Sequence, residues 1–184
     1  MKLYLPTIAD VPTLIEAWRR RLDGTTHQHF QEQILAQLES DPKTYLAQLD
    51  GAVIQVELEL EDGSKVSRLP SISRYMWVDN APVGRISLRY QPGQVELPPH
   101  VLGHIGYETF PWAQRQGYGT SALGQMLDIA RERCSFLSYV ELTTNADNLP
   151  SQKIITANGG IFIEEFEKPA TSGGGLGRRY RITL

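Results

Sequence analysis

Two glycines, Gly117 and Gly119, sit between a strand-like run, His104 to Phe110, and a helix-like run that ends near Cys134. Bare backbone at a strand-to-helix junction constrains the fold strongly. The first-turn amides of a helix lack intrahelical acceptors and the helix dipole favours negative charge, so the stretch Gln114-Arg115-Gln116-Gly117-Tyr118-Gly119-Thr120 is an anion site by construction. The helix that follows carries Leu123, Met126, Leu127, Ala130 and Cys134 on one stripe. That spacing assigns Met126 and Cys134 to the core rather than to a cofactor box or a nucleophile.

The chain of 184 residues is read as one domain, long enough to bury a core. A net charge of −3 argues against a nucleic-acid partner, which needs a basic footprint. No apolar run approaches a membrane span, and Met1 to Pro6 lacks the apolar centre of a signal peptide. The single cysteine excludes an internal disulfide and fits a reducing, cytoplasmic setting. Neither Cys nor His clusters, so no metal site is expected.

Lys2 to Leu5 alternates and stops at Pro6, which predicts a first strand. Asp10 is expected to cap a helix carrying Val11, Leu14, Ile15 and Trp18 on its apolar face; Arg19 to Arg21 supply the positive charge favoured at its end, and Gly24 breaks it. A second helix is expected from about His27 to Leu38, ended by Asp41-Pro42. Ala52 to Leu60 alternates strictly, and Asp62-Gly63 marks a hairpin turn back into Lys65 to Leu69. Pro70 to Ser73 reads as a linker-like turn. Strands are expected at Arg74 to Val78 and Val83 to Tyr90, joined by Asp79 to Pro82, and later at Tyr139 to Thr144, Ile161 to Phe166 and Arg179 to Leu184. A short helix spans Asn148 to Asn158, with Asn148 as cap. The expected class is α/β, a mixed, largely antiparallel sheet flanked by helices.

Gly117-Tyr118-Gly119-Thr120-Ser121-Ala122 also fits a dinucleotide fingerprint, with Glu141 at the spacing of a ribose-binding acid. Two facts oppose that reading. Six residues, Pro111 to Gln116, separate the strand from the first glycine, and too little chain follows for repeated strand–helix–strand units. No Gly-Lys-Ser/Thr follows either, which excludes a nucleoside-triphosphate loop.

The full stretch resembles the GNAT superfamily of acyl-CoA-dependent N-acetyltransferases, whose signature Gln/Arg-x-x-Gly-x-Gly/Ala is met by Gln114 to Gly119. His104-Ile105-Gly106-Tyr107 followed by Pro111 resembles the family's central strand, and Asn148-Leu149-Pro150-Ser151 up to Gly159-Gly160 resembles its Asn-x-x-Ser/Ala helix. Tyr75 to Val78 before Val83-Gly84 is similar to a bacterial subgroup of predicted acetyltransferases. The likeness covers Val83 to Phe166, so residues 83–166 are expected to form the acetyl-CoA-binding core and residues 1–70 a variable acceptor-side region of one domain, 1–184.

The resemblance implies roles. Acetyl-CoA would be the cosubstrate. Gln114, Arg115, Gln116, Gly117, Tyr118, Gly119 and Thr120 would hold its pyrophosphate. Backbone groups of Tyr107, Glu108 and Thr109 would bond the pantetheine, with Asn148 and Ser151 on the other side of the arm. The implied reaction is direct acetyl transfer to a primary amine of a small molecule or peptide, with an amide as oxyanion donor. The base is His104 or, on the same strand face, Glu108; a hydrogen-bonded strand histidine is the alternative reading of His104. Many relatives place a proton-donating tyrosine seven residues after the helix asparagine. Here that residue is Ile155, so Tyr180 or water must protonate the leaving thiolate, or it leaves unaided. A catalytically silent acyl-CoA-binding module and a transferase for another acyl group stay open, as do the acceptor and a homodimer.

Overall fold

In the computed structural model, described for residues 1–22, 28–51, 57–59 and 63–184, helices pack on two antiparallel sheets. The first sheet has the order β1 (Lys2–Tyr4), β4 (Ser71–Val78), β5 (Ala81–Arg89), β6 (Ile105–Thr109). The second has the order β7 (Tyr139–Asn145), β9 (Leu176–Thr183), β8 (Ile161–Glu167). A small hairpin, β2 (Glu57–Glu59) with β3 (Lys65–Ser67), stands apart from both. Three helices precede the hairpin: α1 (Val11–Arg21), α2 (Gln28–Ser40) and α3 (Pro42–Ala47). The glycine-led α4 (Tyr118–Arg133) joins the sheets, and α5 (Leu149–Ala157) follows β7.

Strand register divides the first sheet into two faces. Tyr75, Arg85 and Glu108 lie abreast, as do Ser73, Ser87 and Gly106. Directly paired residues share a face, so this side meets α1 to α3. There Leu14, Trp18, Ile34, Leu38 and Tyr45 pack on Tyr75, Trp77 and Phe110. The opposite face, with Ile72, Met76, Ile86, Leu88 and Ile105, packs on Leu123, Met126 and Ala130 of α4. Met126 and Cys134 are in this core, as their helical spacing predicts.

Several local expectations need correction. Asp41-Pro42 ends α2 but also opens α3: Asp41 accepts from the Thr44 amide and Pro42 takes the first helical turn, where a missing N–H costs nothing. Ser71 to Ser73 is strand, not linker, because Ser73 can bury its hydroxyl against that of Ser87 at 2.7 Å. Asp10 accepts from the Thr7 amide and hydroxyl and from Tyr4 Oη, closing a short 3-10 turn ahead of α1. The turn between β4 and β5 is tighter than expected, with positive φ at both Asp79 and Asn80, the geometry that suits strand twist. The expected sheet is split in two. The Gly24 break and most of the Ala52 to Leu60 strand lie outside the described residues.

Beneath α1, three hydroxyl or indole groups share one buried site. Trp18 Nε1 donates to Tyr75 Oη at 2.8 Å, and Tyr45 Oη bonds the same oxygen. Tyr75→Phe leaves two buried polar groups, Trp18 Nε1 and Tyr45 Oη, without this partner, so it is expected to cost about 1–3 kcal/mol in urea denaturation; an unchanged midpoint would contradict this linkage.

Candidate active site and cofactor cleft

Among the described residues, backbone hydrogen bonds join the two sheets at one place. His104 donates its backbone N–H to Glu141 O at 2.7 Å, while its own carbonyl accepts from Arg89 N on β5 at 2.8 Å. Gly103 permits the approach, since a Cβ there would stand 3.0 Å from Glu141 O. Beyond this point no backbone hydrogen bond joins β6 to β7 among the described residues. Phe110 N–H points at Val83 O on β5. Alternation along the strand then turns Gly106 and Glu108 toward β5, and the amides and carbonyls of Tyr107 and Thr109 toward the open edge. Gln114 Nε2 reaches Thr109 O on that edge at 3.4 Å.

The His104 side chain belongs to the junction. It is 1% exposed. Nδ1 accepts from the Glu141 amide at 3.0 Å, which fixes the proton on Nε2, and Nε2 donates to Val95 O at 3.0 Å. Burial, chiefly, holds its pKa below the ordinary histidine value, so the ring is neutral. Glu141 is not free to hold a ribose: it accepts from Arg179 at 2.9 Å and Arg181 at 2.7 Å. Burial opposes its charge, but the Arg181 and Arg179 hydrogen bonds prevail and keep its carboxyl below the usual range.

Glu108 sits on the α1 side of β6, where Arg21 Nε donates to it at 3.1 Å; 27% of its side chain remains exposed. Tyr107 points the other way, across to α5, and shares a hydrogen bond of 2.8 Å with Ser151 Oγ. Burial pushes its phenol up to about 12, so it carries its proton at neutral pH. Asn148 Oδ1 accepts from the Ser151 amide at 3.1 Å and caps α5 as expected. Tyr180 lies in the core, its hydroxyl donating to Gln152 Oε1 at 3.3 Å, and Ile155 is buried beside it. Glu108 and Tyr107 thus lie on opposite faces of β6, Glu108 with Arg21 and Tyr107 with Ser151; His104 sits where β6 meets β7, and Tyr180 is in the core on β9. The Arg21 partner and the Tyr107 phenol are additions to the expected set. The first carried only a helix-end signal, and the second was assigned by its backbone alone.

At the mouth of this edge stands the glycine loop. Gly117 caps α4 at φ +74°, Arg115 is also left-handed at φ +62°, and no side chain caps the helix. Alternating left-handed residues point successive amides into one concavity, the geometry that gathers anions. Gln114 to Gly117 are exposed, and a Cβ at Gly117 would meet nothing within 4 Å. Gly119 serves packing instead: a Cβ there would come within 2.8 Å of Ile154 Cδ1 on α5.

The sequence matches the family described as Acetyltransferase (GNAT) domain over residues 2–161. The chain belongs to the GNAT acetyltransferases. It is a transferase with acetyl-CoA as cosubstrate. Similar solved folds include Mycobacterium smegmatis RimJ in complex with a CoA-disulfide, at 15% identity and TM-score 0.63, covering 99% of this chain and 81% of that one. A ribosomal-protein-alanine N-acetyltransferase from Brucella melitensis is 15% identical at TM-score 0.57, with both chains fully covered at 100%. The aminoglycoside acetyltransferase AAC(6')-Ib, solved with coenzyme A and kanamycin, is 14% identical at TM-score 0.56, covering 99% and 94%. No curated protein sequence matches the chain. Among the described residues no helix is long and apolar enough to cross a membrane, and none assemble three or more metal-ligating side chains.

Two outcomes follow for the site. Gln116→Glu places a carboxylate on an exposed loop beside the amides, so acetyl-CoA affinity is expected to fall about fivefold at low salt and recover as salt screens it; equal affinity would place the pyrophosphate elsewhere. Since the folded pKa of His104 lies below its unfolded value of about 6.5, its contribution is intact above that pH. It is lost as acidification protonates the unfolded chain, down to the folded pKa. The drop in urea midpoint between pH 7 and 5.5 is therefore expected to shrink in His104→Gln; identical drops would show that the ring is not held neutral.

Proposed function

We propose that the chain, read as a single acetyltransferase domain, moves the acetyl group of acetyl-CoA to a primary amine of a small molecule or peptide by direct attack in a ternary complex. The observation that carries this reading is the uncapped N-terminus of α4 at the mouth of an unpaired strand edge. Gln116 to Thr120 offer amides to the pyrophosphate, and the outward backbone groups of Tyr107 and Thr109 run alongside the pantetheine. Asn148 and Ser151 line the far side. One outward amide polarises the thioester carbonyl and stabilises the tetrahedral oxyanion.

We assign proton acceptance from the ammonium to Glu108 in preference to His104. Both ring nitrogens of His104 are bonded to backbone, whereas Glu108 is part-exposed on the acceptor side. We assign proton donation to the departing thiolate to Tyr107 in preference to Tyr180. Its phenol stays protonated and lies against the first turn of α5, the helix on which many relatives carry their tyrosine. The ammonium loses one proton to Glu108, the nitrogen–carbon bond forms, and the carbon–sulfur bond breaks as sulfur takes the proton of Tyr107; the second proton on nitrogen then returns to the Tyr107 phenolate through water and Glu108 passes its own to solvent, so that ammonium and thioester give amide, thiol and one released proton. The buried, unpaired Cys134 is compatible with a cytoplasmic setting.

Thiol release from acetyl-CoA over a panel of primary amines, with mass detection of the N-acetyl product, tests the reaction. Stoichiometric thiol and product are expected, with Glu108→Gln and Tyr107→Phe each lowering kcat by about 100-fold or more. Acetyl-CoA binding without release on any amine would identify a silent binding module instead.

A further inference from the structure

The acceptor-side face of the first sheet carries a charge pattern that the transfer reaction does not use. Under α1 to α3 a strand would normally present apolar residues, yet β5 turns Arg85, Ser87 and Arg89 that way. Arg68, just beyond β3, joins them. Burial first, then the neighbouring guanidiniums, lowers the pKa of Arg68 and of Arg89. Arg85 gives Nη2 to Ser73 Oγ at 3.1 Å and lies 5.7 Å from the Phe30 ring, but its Nε is buried with no partner. Arg89 lies over Gly106, where a Cβ would stand 3.0 Å from Nη2. Glu108, opposite Arg85 in the ladder, turns to Arg21 instead. No carboxylate pairs with Arg68, Arg85 or Arg89 among the described residues.

Three crowded guanidiniums with no carboxylate partner among the described residues, in a chain of net charge −3, do not follow from bulk composition. Like charges withdrawn from water destabilise the fold unless an anion completes them, and the planar guanidinium fork matches carboxylate and phosphate oxygens. A cavity of about 70 Å³ opens beside Arg68 and Arg85, its walls completed by polar side chains such as Gln37, Gln48 and Ser71 and by apolar ones such as Ile34 and Leu49; Arg89 does not line it. That is several times the ~10–15 Å³ one water centre needs, enough for one anionic group and too small for a whole acceptor.

We propose that Arg68 and Arg85, with the nearby charge of Arg89 reinforcing them, bind an anionic group of the acceptor, so that the substrate class is a primary amine carrying a carboxylate or a phosphate. This rests on the acetyl-transfer reading of the same site. The anion is held one strand away from Glu108, so the amine and the acidic group are joined by a short linker.

Calorimetric titration of the coenzyme A-saturated protein with two matched pairs tests it: O-phosphoethanolamine against ethanolamine, and β-alanine against its amide. The acidic member of at least one pair is expected to bind tenfold or more tighter, the better pair telling phosphate from carboxylate. Arg68→Gln and Arg85→Gln are expected to erase most of that preference. Equal binding within both pairs by the wild-type protein would overturn the inference even if a variant fails to fold, and so would a preference untouched in a folded Arg68→Gln. Thiol release read in parallel separates the two claims. Arginine-dependent binding with no release on any amine sinks the transfer reading alone; release from ethanolamine as fast as from its phosphate ester, with equal binding, sinks the anion site alone.

Discussion

The geometry of the cleft depends on the junction at His104. Backbone and side chain together bind β5, β7 and the loop at Val95, using the N–H, the carbonyl and both ring nitrogens of one residue. Because every polar atom of the residue is satisfied, a buried imidazole is tolerated there. Because the contact is local, the two sheets part beyond it and leave one edge of β6 unpaired. An exposed edge is normally an invitation to another strand; in the proposed reading an extended pantetheine arm takes those backbone partners instead. The Glu141 carboxylate, clasped by Arg179 and Arg181, braces the same point from the second sheet.

From that junction the strand alternation of β6 allocates the chemistry. One face carries Glu108 toward α1 and the arginine stripe of β5; the other carries Tyr107 toward α5. The proposed base and acid, Glu108 and Tyr107, thereby lie on opposite sides of a strand one residue apart, in different environments. Glu108 remains partly in water beside Arg21, and Tyr107 is desolvated enough to keep its proton. The same alternation separates the two packed cores, α1 to α3 on one side and α4 on the other, with Trp112 packed against both.

The cofactor half was legible in the sequence because its constraints are backbone constraints. Gly117 needs φ > 0, Asn148 needs to cap, and Pro111 ends the strand; each leaves a residue-level mark. The acceptor half was less legible. Whether His104 was a free base or a bonded structural residue turned on its distance to Glu141 N and Val95 O, partners remote in sequence or on a loop. The division into two sheets depended equally on where pairing stops, which alternation cannot reveal. The one available signal on the acceptor side was the polar alternation Arg85, Ser87, Arg89 inside an otherwise apolar strand. Gly119 was read with the anion loop, and its close approach to Ile154 shows that half of the glycine signature is packing.

The proposed transfer requires the amides of the α4 N-terminus to take the pyrophosphate. Hydrogen exchange of individual backbone amides, with and without saturating acetyl-CoA, tests this most directly. Gln116 to Thr120 are expected to become protected together with Tyr107 and Thr109, while Arg131 to Cys134 at the far end of α4 stay unchanged. Cofactor binding that leaves the exchange of Gln116 to Thr120 unaltered would contradict it.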